Sequence, residues 1–284
     1  MISVVIPAFN EEQSIGITIA AVQRLPNYGD GWETLVVDDG STDRTSATAS
    51  AHGARVIRHP HNLGYGRALK TGIDAASHDT IIIIDADGTY AADDIPGLVA
   101  AYADGFDMVV GVRSGKDLRE PFLKVVLRAV LTLLVEFTAG RRIPDVNSGL
   151  RVFSRKAIQP YFGQLCDTFS FTTSLTLAYM MTARFVNFVP IRYGTRLGQS
   201  KVRLLRDALR TLQYVVQAIL YYNPIKLFLL TSLSAAAVTL VLAGIALTVS
   251  STTTVLVIAI GSGVSMVLFG LGLVADLLRQ IMKK

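Results

Sequence analysis

The sequence of 284 residues has little cysteine, little tryptophan and little charge. Its single cysteine, Cys166, cannot form an internal disulfide, so a disulfide-stabilised framework is excluded. Charged residues make up 17% of the chain and hydrophobic residues 51%, whereas a soluble globular protein carries about 25% charge. The composition therefore argues against an ordinary cytosolic enzyme and indicates a membrane-associated protein in a reducing compartment.

Two common nucleotide-binding signatures are absent as well. The phosphate-binding G-x-x-x-x-G-K-[ST] loop does not occur in the sequence. The segment Asn62–Gly66 begins like a dinucleotide fingerprint but lacks the later glycine and the partner acid. Any nucleotide must therefore be bound by a different arrangement of residues.

The charge that is present is divided unevenly along the chain. Residues 1–112 contain 6 basic and 15 acidic residues, a net charge of −9, whereas residues 113–284 contain 21 and 7, a net charge of +14. Such asymmetry indicates different partners for the two parts, and a membrane or a polyanion is the usual partner of a basic segment. The net charge of +5 for the whole chain conceals this division.

Hydrophobic residues are concentrated near the C-terminus, where Leu227–Val249 and Thr254–Ala275 contain no charged residue. As helices, each would reach about 33 Å, enough to cross a hydrocarbon layer of about 30 Å. A buried helical hairpin of a soluble protein is the alternative interpretation. Because basic residues flank both outer ends, the positive-inside rule predicts cytoplasmic termini. These flanking residues are Lys226, Arg279, Lys283 and Lys284.

The chain before the hairpin consists of a larger domain, which contains one basic amphipathic stretch, and a second such stretch that follows it. We expect a cytoplasmic catalytic domain at residues 1–200, a juxtamembrane amphipathic helix at 201–225 and the transmembrane hairpin at 226–284. A further interfacial helix is expected at about 116–139. No basic segment precedes the first apolar run, so no signal peptide is expected. Basic amphipathic helices suit an anionic membrane surface, and packing against the catalytic domain is the alternative for both stretches.

The first 112 residues alternate between short apolar runs and helical stretches, which predicts a mainly parallel α/β sheet covered on both faces. The predicted strands are Ile2–Ile6, Thr34–Val37, Arg55–Arg58, Thr80–Ile84 and Met108–Val112. The predicted helices are Glu11–Arg24, Asp43–Ala51, Gly66–Ala76 and Asp93–Ala103. In such sheets ligands bind beyond the carboxyl ends of the strands.

Acidic residues follow three of these predicted strands and would collect along one edge of the sheet. They are Glu11, Asp38, Asp39, Asp43, Asp85 and Asp87. Mutual repulsion makes this arrangement costly unless a cation or a hydroxyl-rich ligand binds there. Helix capping by Ser41 or Thr42 is the structural alternative for part of it. The spacing Asp85-Ala86-Asp87 suits a divalent ion whose remaining oxygen ligands come from a diphosphate.

These motifs resemble those of family 2 glycosyltransferases with the GT-A fold, a Rossmann-like α/β nucleotide-diphospho-sugar transferase architecture, over about residues 1–205. The resemblance rests on Val5–Glu11, Val37–Asp43, Asn62–Gly64 and Asp85–Asp87. Within the family, the motifs Asn147–Arg155 and Gly198–Lys201 most resemble those of dolichyl- and undecaprenyl-phosphate sugar synthases. Two positions depart from the family pattern. Gly88-Thr89-Tyr90 replaces Leu-Gln or Leu-Ser, and Thr172-Thr173-Ser174 stands where many relatives carry a glutamate.

The resemblance implies roles for individual residues. The expected nucleotide-sugar contacts are Pro7, Ala8, Phe9, Glu11, Asp38, Asp39, Gly64, Lys70, Asp85, Ala86 and Asp87. Asp85 and Asp87 would also bind Mg²⁺ or Mn²⁺, and Arg113 would contact the donor phosphates. The expected contacts of the acceptor phosphate are Arg128, Arg151, Ser200 and Lys201. A hydroxyl acceptor would require a general base, for which Asp145 is the candidate, whereas a lipid monophosphate requires none.

The sequence therefore predicts a metal-dependent, inverting hexosyltransferase that uses a UDP- or GDP-sugar and a polyprenyl phosphate at the cytoplasmic face of the cell membrane. Expected partners are these two substrates, anionic lipids and a second copy of the chain, with no nucleic acid. A membrane-anchored relative acting on a saccharide or protein hydroxyl is an alternative, as is a non-catalytic nucleotide-sugar sensor. Polysaccharide synthesis is disfavoured because the Q-x-x-R-W motif is missing and Trp32 is the only tryptophan.

Overall fold

The structure is a computed structural model that describes residues 1–26, 28–29, 31–114, 132–133, 135–195, 204–248 and 250–282. The chain divides into two compact units, Met1–Tyr214 and Val215–Lys284. The first unit carries the sheet and the second carries the long apolar helices.

Seven strands form one sheet in the described part of the chain, in the order β3-β2-β1-β4-β6-β5-β7. They are β1 Ile2–Ala8, β2 Trp32–Asp38, β3 Arg55–Arg58, β4 Thr80–Ile83, β5 Met108–Ser114, β6 Arg151–Ser154 and β7 Val186–Arg192. The four strands β1 to β4 are mutually parallel, and β6 runs antiparallel to both of its neighbours. The predicted mainly parallel α/β sheet is therefore confirmed.

The helices lie between the strands and after them. They are α1 Ile15–Gln23, α2 Thr45–Ala51, α3 Tyr65–Ala75, α4 Ile95–Ala103, α5 Arg155–Ile158, α6 Phe171–Met181, α7 Leu204–Tyr222, α8 Pro224–Ala246 and α9 Ser251–Met282. Residues 135–139 are also helical, and the rest of the predicted interfacial helix at 116–139 lies almost entirely outside the described residues. The first strand is buried along its whole length, and α1 packs its apolar residues at helical spacing into the same core.

Two strands that the sequence pattern did not predict complete the sheet. The antiparallel strand β6 has only four residues and contains Arg151, so it lacks an apolar run. The last strand, β7, is interrupted by Pro190. Proline cannot donate a backbone hydrogen bond and is tolerated at the edge of a sheet, which is where β7 lies.

The second unit contains α8 and α9, which lie antiparallel along each other. Ser232 Oγ donates to the carbonyl of Ser265 over 2.8 Å, and a Cβ on Gly261 would collide with the side chain of Thr239. Both helices are long and apolar enough to cross a membrane, with mean hydropathies of 2.1 and 2.2. Their apolar side chains face outward, Leu240 and Met266 being 73% and 78% exposed. This exposure disfavours the alternative of a buried hairpin in a soluble protein.

Candidate active site

The carboxyl ends of β1, β2 and β4 lie side by side at one edge of the sheet. Ala8 pairs with Asp38 across β1 and β2, and Val5 pairs with Ile83 across β1 and β4. The three acidic loops therefore leave the sheet at neighbouring points, as expected for parallel strands. This edge is the candidate active site.

The first two acidic loops are joined by hydrogen bonds. Asn10 has a left-handed backbone, with a φ of 51°, and its Oδ1 accepts from the backbone of Thr42 over 2.8 Å. The backbone of Asn10 donates to Ser41 Oγ over 2.9 Å, and that of Glu11 donates to Thr45 Oγ1 over 2.8 Å. The helix α1 begins at Ile15 and not at the predicted Glu11, after a turn in which Ser14 N and Ile15 N both donate to the carbonyl of Glu11.

The residues before α2 test the alternative of helix capping. Asp43 Oδ1 accepts from the backbone of Thr45 over 3.0 Å, whereas Ser41 and Thr42 bond to Asn10. The structural alternative, capping of this helix by Ser41 or Thr42, is therefore not what the structure has, because both residues are bonded to Asn10 of the neighbouring loop. Asp38 accepts from the backbone of Ser41 over 2.8 Å and is buried.

Asp39 organises the loop that follows β3. Its carboxylate accepts from the backbone of Leu63 over 2.9 Å and of Gly64 over 2.8 Å. It also lies 2.7 Å from Nδ1 of the buried His59, whose Nε2 is 3.0 Å from Thr71 Oγ1. Sequence reasoning missed His59, which belongs to none of the motifs and carries no local signal.

Two residues expected to contact the nucleotide-sugar instead fix α3 to the segment 165–169. The buried Lys70 donates to the carbonyl of Leu165 over 2.6 Å and to Asp167 over 2.7 Å. Gly64 has a φ of 111°, and a Cβ there would lie 2.5 Å from the carbonyl oxygen of Asp167. The ammonium group of Lys70 is thus bound by two protein oxygens, and a nucleotide contact by Lys70 would have to share this group with them.

The carboxylates of Asp85 and Asp87 follow the buried strand β4. Asp85 Oδ1 accepts from the hydroxyl of Tyr65 over 2.7 Å, and Asp87 Oδ1 accepts from Thr89 Oγ1 over 2.7 Å. Both residues are partly or largely shielded from solvent. Thr89, one of the positions that departs from the family pattern, therefore orients the second aspartate.

The donor set at this point suits a hard divalent cation. Among the described residues, no group of three or more His, Cys, Asp or Glu side chains is placed to hold a metal ion. Two carboxylates alone leave most coordination positions of Mg²⁺ or Mn²⁺ to other oxygen ligands, such as phosphates and water. The site thus fits a cation bound together with a diphosphate and does not fit a dedicated protein cage.

Tyr90 connects the Asp85 loop to the loop before β6. Its hydroxyl accepts from the backbone of Gly149 over 2.7 Å, and its ring packs edge-on against Tyr193 with centroids 5.2 Å apart. A Cβ on Gly149 would lie 2.5 Å from a carboxylate oxygen of Asp85, so the two groups are in contact. Burial and the charge of Asp85 hold the pKa of Tyr90 well above its ordinary value. Its hydroxyl therefore stays protonated at neutral pH.

Arg113 and Asp145 form a bidentate ion pair beside this loop. Arg113 Nε donates to Asp145 Oδ2 over 2.7 Å, and Nη2 donates to Oδ1 over 2.9 Å. The guanidinium also lies over the ring of Tyr193, 5.2 Å from its centroid. Burial alone would raise the pKa of Asp145, but the hydrogen bonds and charge of Arg113 outweigh it and hold this pKa below its ordinary value.

Arg151 occupies a different environment from the one expected for an acceptor contact. Its side chain is fully buried and donates to the carbonyls of Ser148 and Val146, each over 2.8 Å, and to Thr176 Oγ1 over 2.7 Å. Burial lowers the pKa of Arg151 to about 10. A phosphate could not reach this guanidinium without displacing the loop, so the expected role does not fit. Its bonds instead fix the segment between Asp145 and Gly149.

Other predicted positions are buried or lie outside the described part of the chain. Thr172, Thr173 and Ser174 are buried, and Thr173 Oγ1 donates to Asn147 Oδ1 over 2.8 Å. These side chains pack inside the fold. Pro7 and Ala8 belong to β1, Phe9 and Glu11 follow it, and Ala86 is buried between the two aspartates. The expected acceptor contacts Arg128, Ser200 and Lys201 lie outside the described residues.

Comparison with known sequences connects this site to one family. Residues 3–162, more than half of the chain, match the sequence profile described as glycosyl transferase family 2. The chain is 30% identical over 238 residues to an undecaprenyl-phosphate 4-deoxy-4-formamido-L-arabinose transferase of Salmonella paratyphi A, covering 80% of this chain and 69% of that protein. It is 30% identical over 202 residues to a dolichyl-phosphate hexose transferase of Haloferax volcanii, covering 71% and 86%.

Solved structures show the same fold. Glucosyl-3-phosphoglycerate synthase from Mycobacterium tuberculosis in complex with UDP matches with a TM-score of 0.61 at 23% identity, covering 77% of this chain and 79% of that chain. Its complex with Mn²⁺, UDP and glucosyl-3-phosphoglycerate matches with a TM-score of 0.58 at 25% identity, covering 78% of each chain. The expected GT-A-type fold is thereby confirmed.

Proposed function

This chain belongs to glycosyltransferase family 2 and is related to polyprenyl-phosphate sugar transferases, and from this we propose that it transfers a hexose from a nucleotide-sugar to a polyprenyl phosphate. The proposed donor carries UDP or GDP, and the proposed transfer inverts the configuration of the sugar. The reaction takes place at the cytoplasmic face of the cell membrane.

The observation that carries the choice of acceptor is the pairing of Asp145 with Arg113. A hydroxyl acceptor needs a general base, and a useful base has a pKa near the working pH. Both oxygens of Asp145 are bound by the guanidinium, and its pKa lies below the ordinary carboxylate value. A phosphate monoester has a second pKa of about 6 and is largely dianionic at pH 7, so it needs no base. The ion pair therefore disfavours Asp145 as the general base for a hydroxyl acceptor, which supports the proposed phosphate acceptor.

The donor is held at the edge formed by β1, β2 and β4. In this proposal Pro7, Phe9, Glu11 and Asp39 surround the nucleoside, and Asp85 and Asp87 hold Mg²⁺ or Mn²⁺ with the diphosphate. A cation bound there would supply charge stabilisation for the departing diphosphate. Arg113, fixed by Asp145 and Tyr193, donates to phosphate oxygens, an interaction that a planar guanidinium makes in bidentate form.

The two apolar helices support the location of the acceptor. A polyprenyl chain lies in the hydrocarbon layer, and α8 and α9 have the length and hydropathy to cross that layer. We infer a multi-pass membrane protein with both termini in the cytoplasm, since Lys226 and Arg279 lie at the same end of the antiparallel pair. Anionic headgroups are the proposed surface for the basic segments.

The function is tested with the full-length protein in lipid nanodiscs containing a short polyprenyl phosphate, Mn²⁺ and a panel of radiolabelled UDP- and GDP-sugars. We expect label to appear in a lipid-phosphate-sugar. We expect Asp87→Asn to abolish transfer, while Asp74→Asn, an exposed carboxylate on α3, transfers at the wild-type rate. Transfer to a free sugar or peptide but never to the lipid would overturn the acceptor. An Asp87→Asn variant that keeps full cellular function would overturn the assignment as an enzyme.

A further inference from the structure

The carboxylate of Asp85 is held from two sides by groups that belong to no predicted site. On one side the hydroxyl of Tyr65 donates to Oδ1 over 2.7 Å. On the other side, the backbone of Gly149 lies so close that a Cβ would fall 2.5 and 2.6 Å from the two carboxylate oxygens. We propose that Tyr65 is a positioning residue that orients Asp85 to bind the divalent cation, an inference that rests on the proposed function.

The ring of Tyr65 is itself held in place. It stacks on Phe169 with centroids 5.8 Å apart and an interplanar angle of 16°. Such an offset stack stabilises a pair of rings beyond their burial and restricts the side-chain torsions of both. The hydroxyl of Tyr65 is therefore presented to Asp85 from a fixed ring.

The backbone that carries Tyr65 is fixed as well. Tyr65 is the first residue of α3, and the first two turns of this helix are hydrogen-bonded to the segment before Phe169. Arg67 N donates to the carbonyl of Asp167 over 2.9 Å, and Lys70 donates to the carbonyl of Leu165 over 2.6 Å. Gly66 lies directly against the carbonyl of Cys166, where no side chain would fit. The segment 165–169 thus anchors both the helix and the aromatic ring that meets Asp85.

This arrangement is what a metal-binding carboxylate requires from its surroundings. A ligand that is already oriented by an outer hydrogen bond loses little freedom when the cation binds, and removal of such a bond typically costs about 10-fold to 100-fold in metal affinity. Because the hydroxyl of Tyr65 donates to Oδ1 of Asp85 from the side of α3, the orientation of the carboxylate is set in the absence of the cation. Tyr65 therefore contributes to cation affinity without contacting the cation.

The test measures Mn²⁺ affinity and not turnover. Full-length protein in nanodiscs is titrated with Mn²⁺ in the presence of UDP and, in parallel, of GDP, and free Mn²⁺ is followed by electron paramagnetic resonance. Tyr65→Phe keeps the ring and removes the hydroxyl, and we expect its Kd for Mn²⁺ to rise about 10-fold. The matched control is Tyr28→Phe, which loses a hydroxyl contact of 3.0 Å to Thr34 Oγ1 and should bind Mn²⁺ like the wild type.

A double variant separates positioning from a general structural effect. In an Asp85→Ala background, adding Tyr65→Phe should change the Kd for Mn²⁺ less than 2-fold, because the group that Tyr65 orients is gone. Phe169→Leu, which keeps the hydroxyl but removes the stack, should weaken Mn²⁺ binding in the same direction as Tyr65→Phe. If Tyr65→Phe binds Mn²⁺ like the wild type, this inference is overturned and the proposed function stands. If the wild type binds either nucleotide equally well with and without Mn²⁺, both the inference and the proposed metal dependence fail.

Discussion

A methyl group at Gly149 should displace Asp85 and reduce turnover while leaving the fold intact. The backbone of Gly149 is outside the left-handed region, so alanine introduces no backbone strain there. The effect of Gly149→Ala must therefore come from contact alone. The new Cβ would lie 2.5 and 2.6 Å from the two oxygens of Asp85 and 2.7 Å from its Cγ.

The magnitude follows from these distances. An ordinary carbon–oxygen contact is about 3.3 Å, so the carboxylate must retreat by about 0.8 Å. A misplacement of about 1 Å in an active site costs about 100-fold in rate, which corresponds to about 2.7 kcal/mol of transition-state stabilisation. Overpacking by one methyl group costs about 1–3 kcal/mol of unfolding free energy. We therefore expect kcat/KM to fall about 100-fold and the Tm to fall by a few degrees.

The assay compares kcat/KM with the lipid acceptor, Mn²⁺ affinity and thermal unfolding for three proteins: wild type, Gly149→Ala and Gly163→Ala. Gly163 is the matched control, because a Cβ there meets nothing within 4 Å and should change none of the three quantities. A Gly149→Ala protein with wild-type kcat/KM and Mn²⁺ affinity would refute the reasoning. It would mean that the position of the Asp85 carboxylate does not limit the reaction.

Three further predictions address other parts of the molecule. Lys70→Met should lower the unfolding free energy by about 1–3 kcal/mol, because it leaves the carbonyl of Leu165 without its donor. We expect the affinity for UDP, measured by calorimetry, to stay within 2-fold of the wild type. A large loss of UDP affinity at unchanged Tm would instead identify Lys70 as a nucleotide contact. The pKa of Asp145 is lowered in the fold, so its carboxylate stabilises the protein above its ordinary pKa of about 4 and this contribution is lost as the pH falls through the folded value. Asp145→Asn should therefore lower the Tm at pH 7 and flatten its decline between pH 5 and pH 3, and a parallel decline in both proteins would contradict the pairing. In the apolar hairpin, Gly261→Ile should separate α8 from α9 at Thr239, whereas Gly263→Ile faces open space and should have no effect. Disulfide cross-linking between cysteines introduced at Ser232 and Ser265 measures this separation, and equal yields in both variants would contradict the packing.

The sequence alone was sufficient to predict the first five strands and the acidic loops of the first unit. The strands β1, β2, β4 and β5 each contain at least three consecutive apolar residues, whereas β3 has only two between arginines. Turn residues and helical stretches separate these runs, so local pattern indicates where the strands lie along the chain. The acidic loops after β1, β2 and β4 could be placed at one edge because parallel strands end at the same side of a sheet. The apolar helices near the C-terminus were equally evident, since an uncharged run of that length is itself the signal.

Local pattern did not indicate which polar residues would be engaged inside the fold. Arg151 and Lys70 have the charge expected of phosphate contacts, yet both are buried and bonded to backbone carbonyls. The sequence shows the type of a side chain but not its direction. A basic residue on a short strand or a helix gives the same sequence pattern whether its side chain faces a cleft or a backbone carbonyl. The two unpredicted strands were missed for a similar reason, because β6 and β7 are defined by their neighbours and not by apolar runs.

The tertiary structure alone decided how Asp85 is held. Its hydroxyl partner Tyr65 lies 20 residues earlier, and Gly149 reaches Tyr90 across 59 residues of chain. Lys70 meets Asp167 across 97 residues, and this contact anchors the helix that carries Tyr65. The sequence determined that two aspartates follow a buried strand, because that placement is local. The geometry that prepares one of them for a cation arises from contacts between distant segments, and only the folded chain brings those segments together.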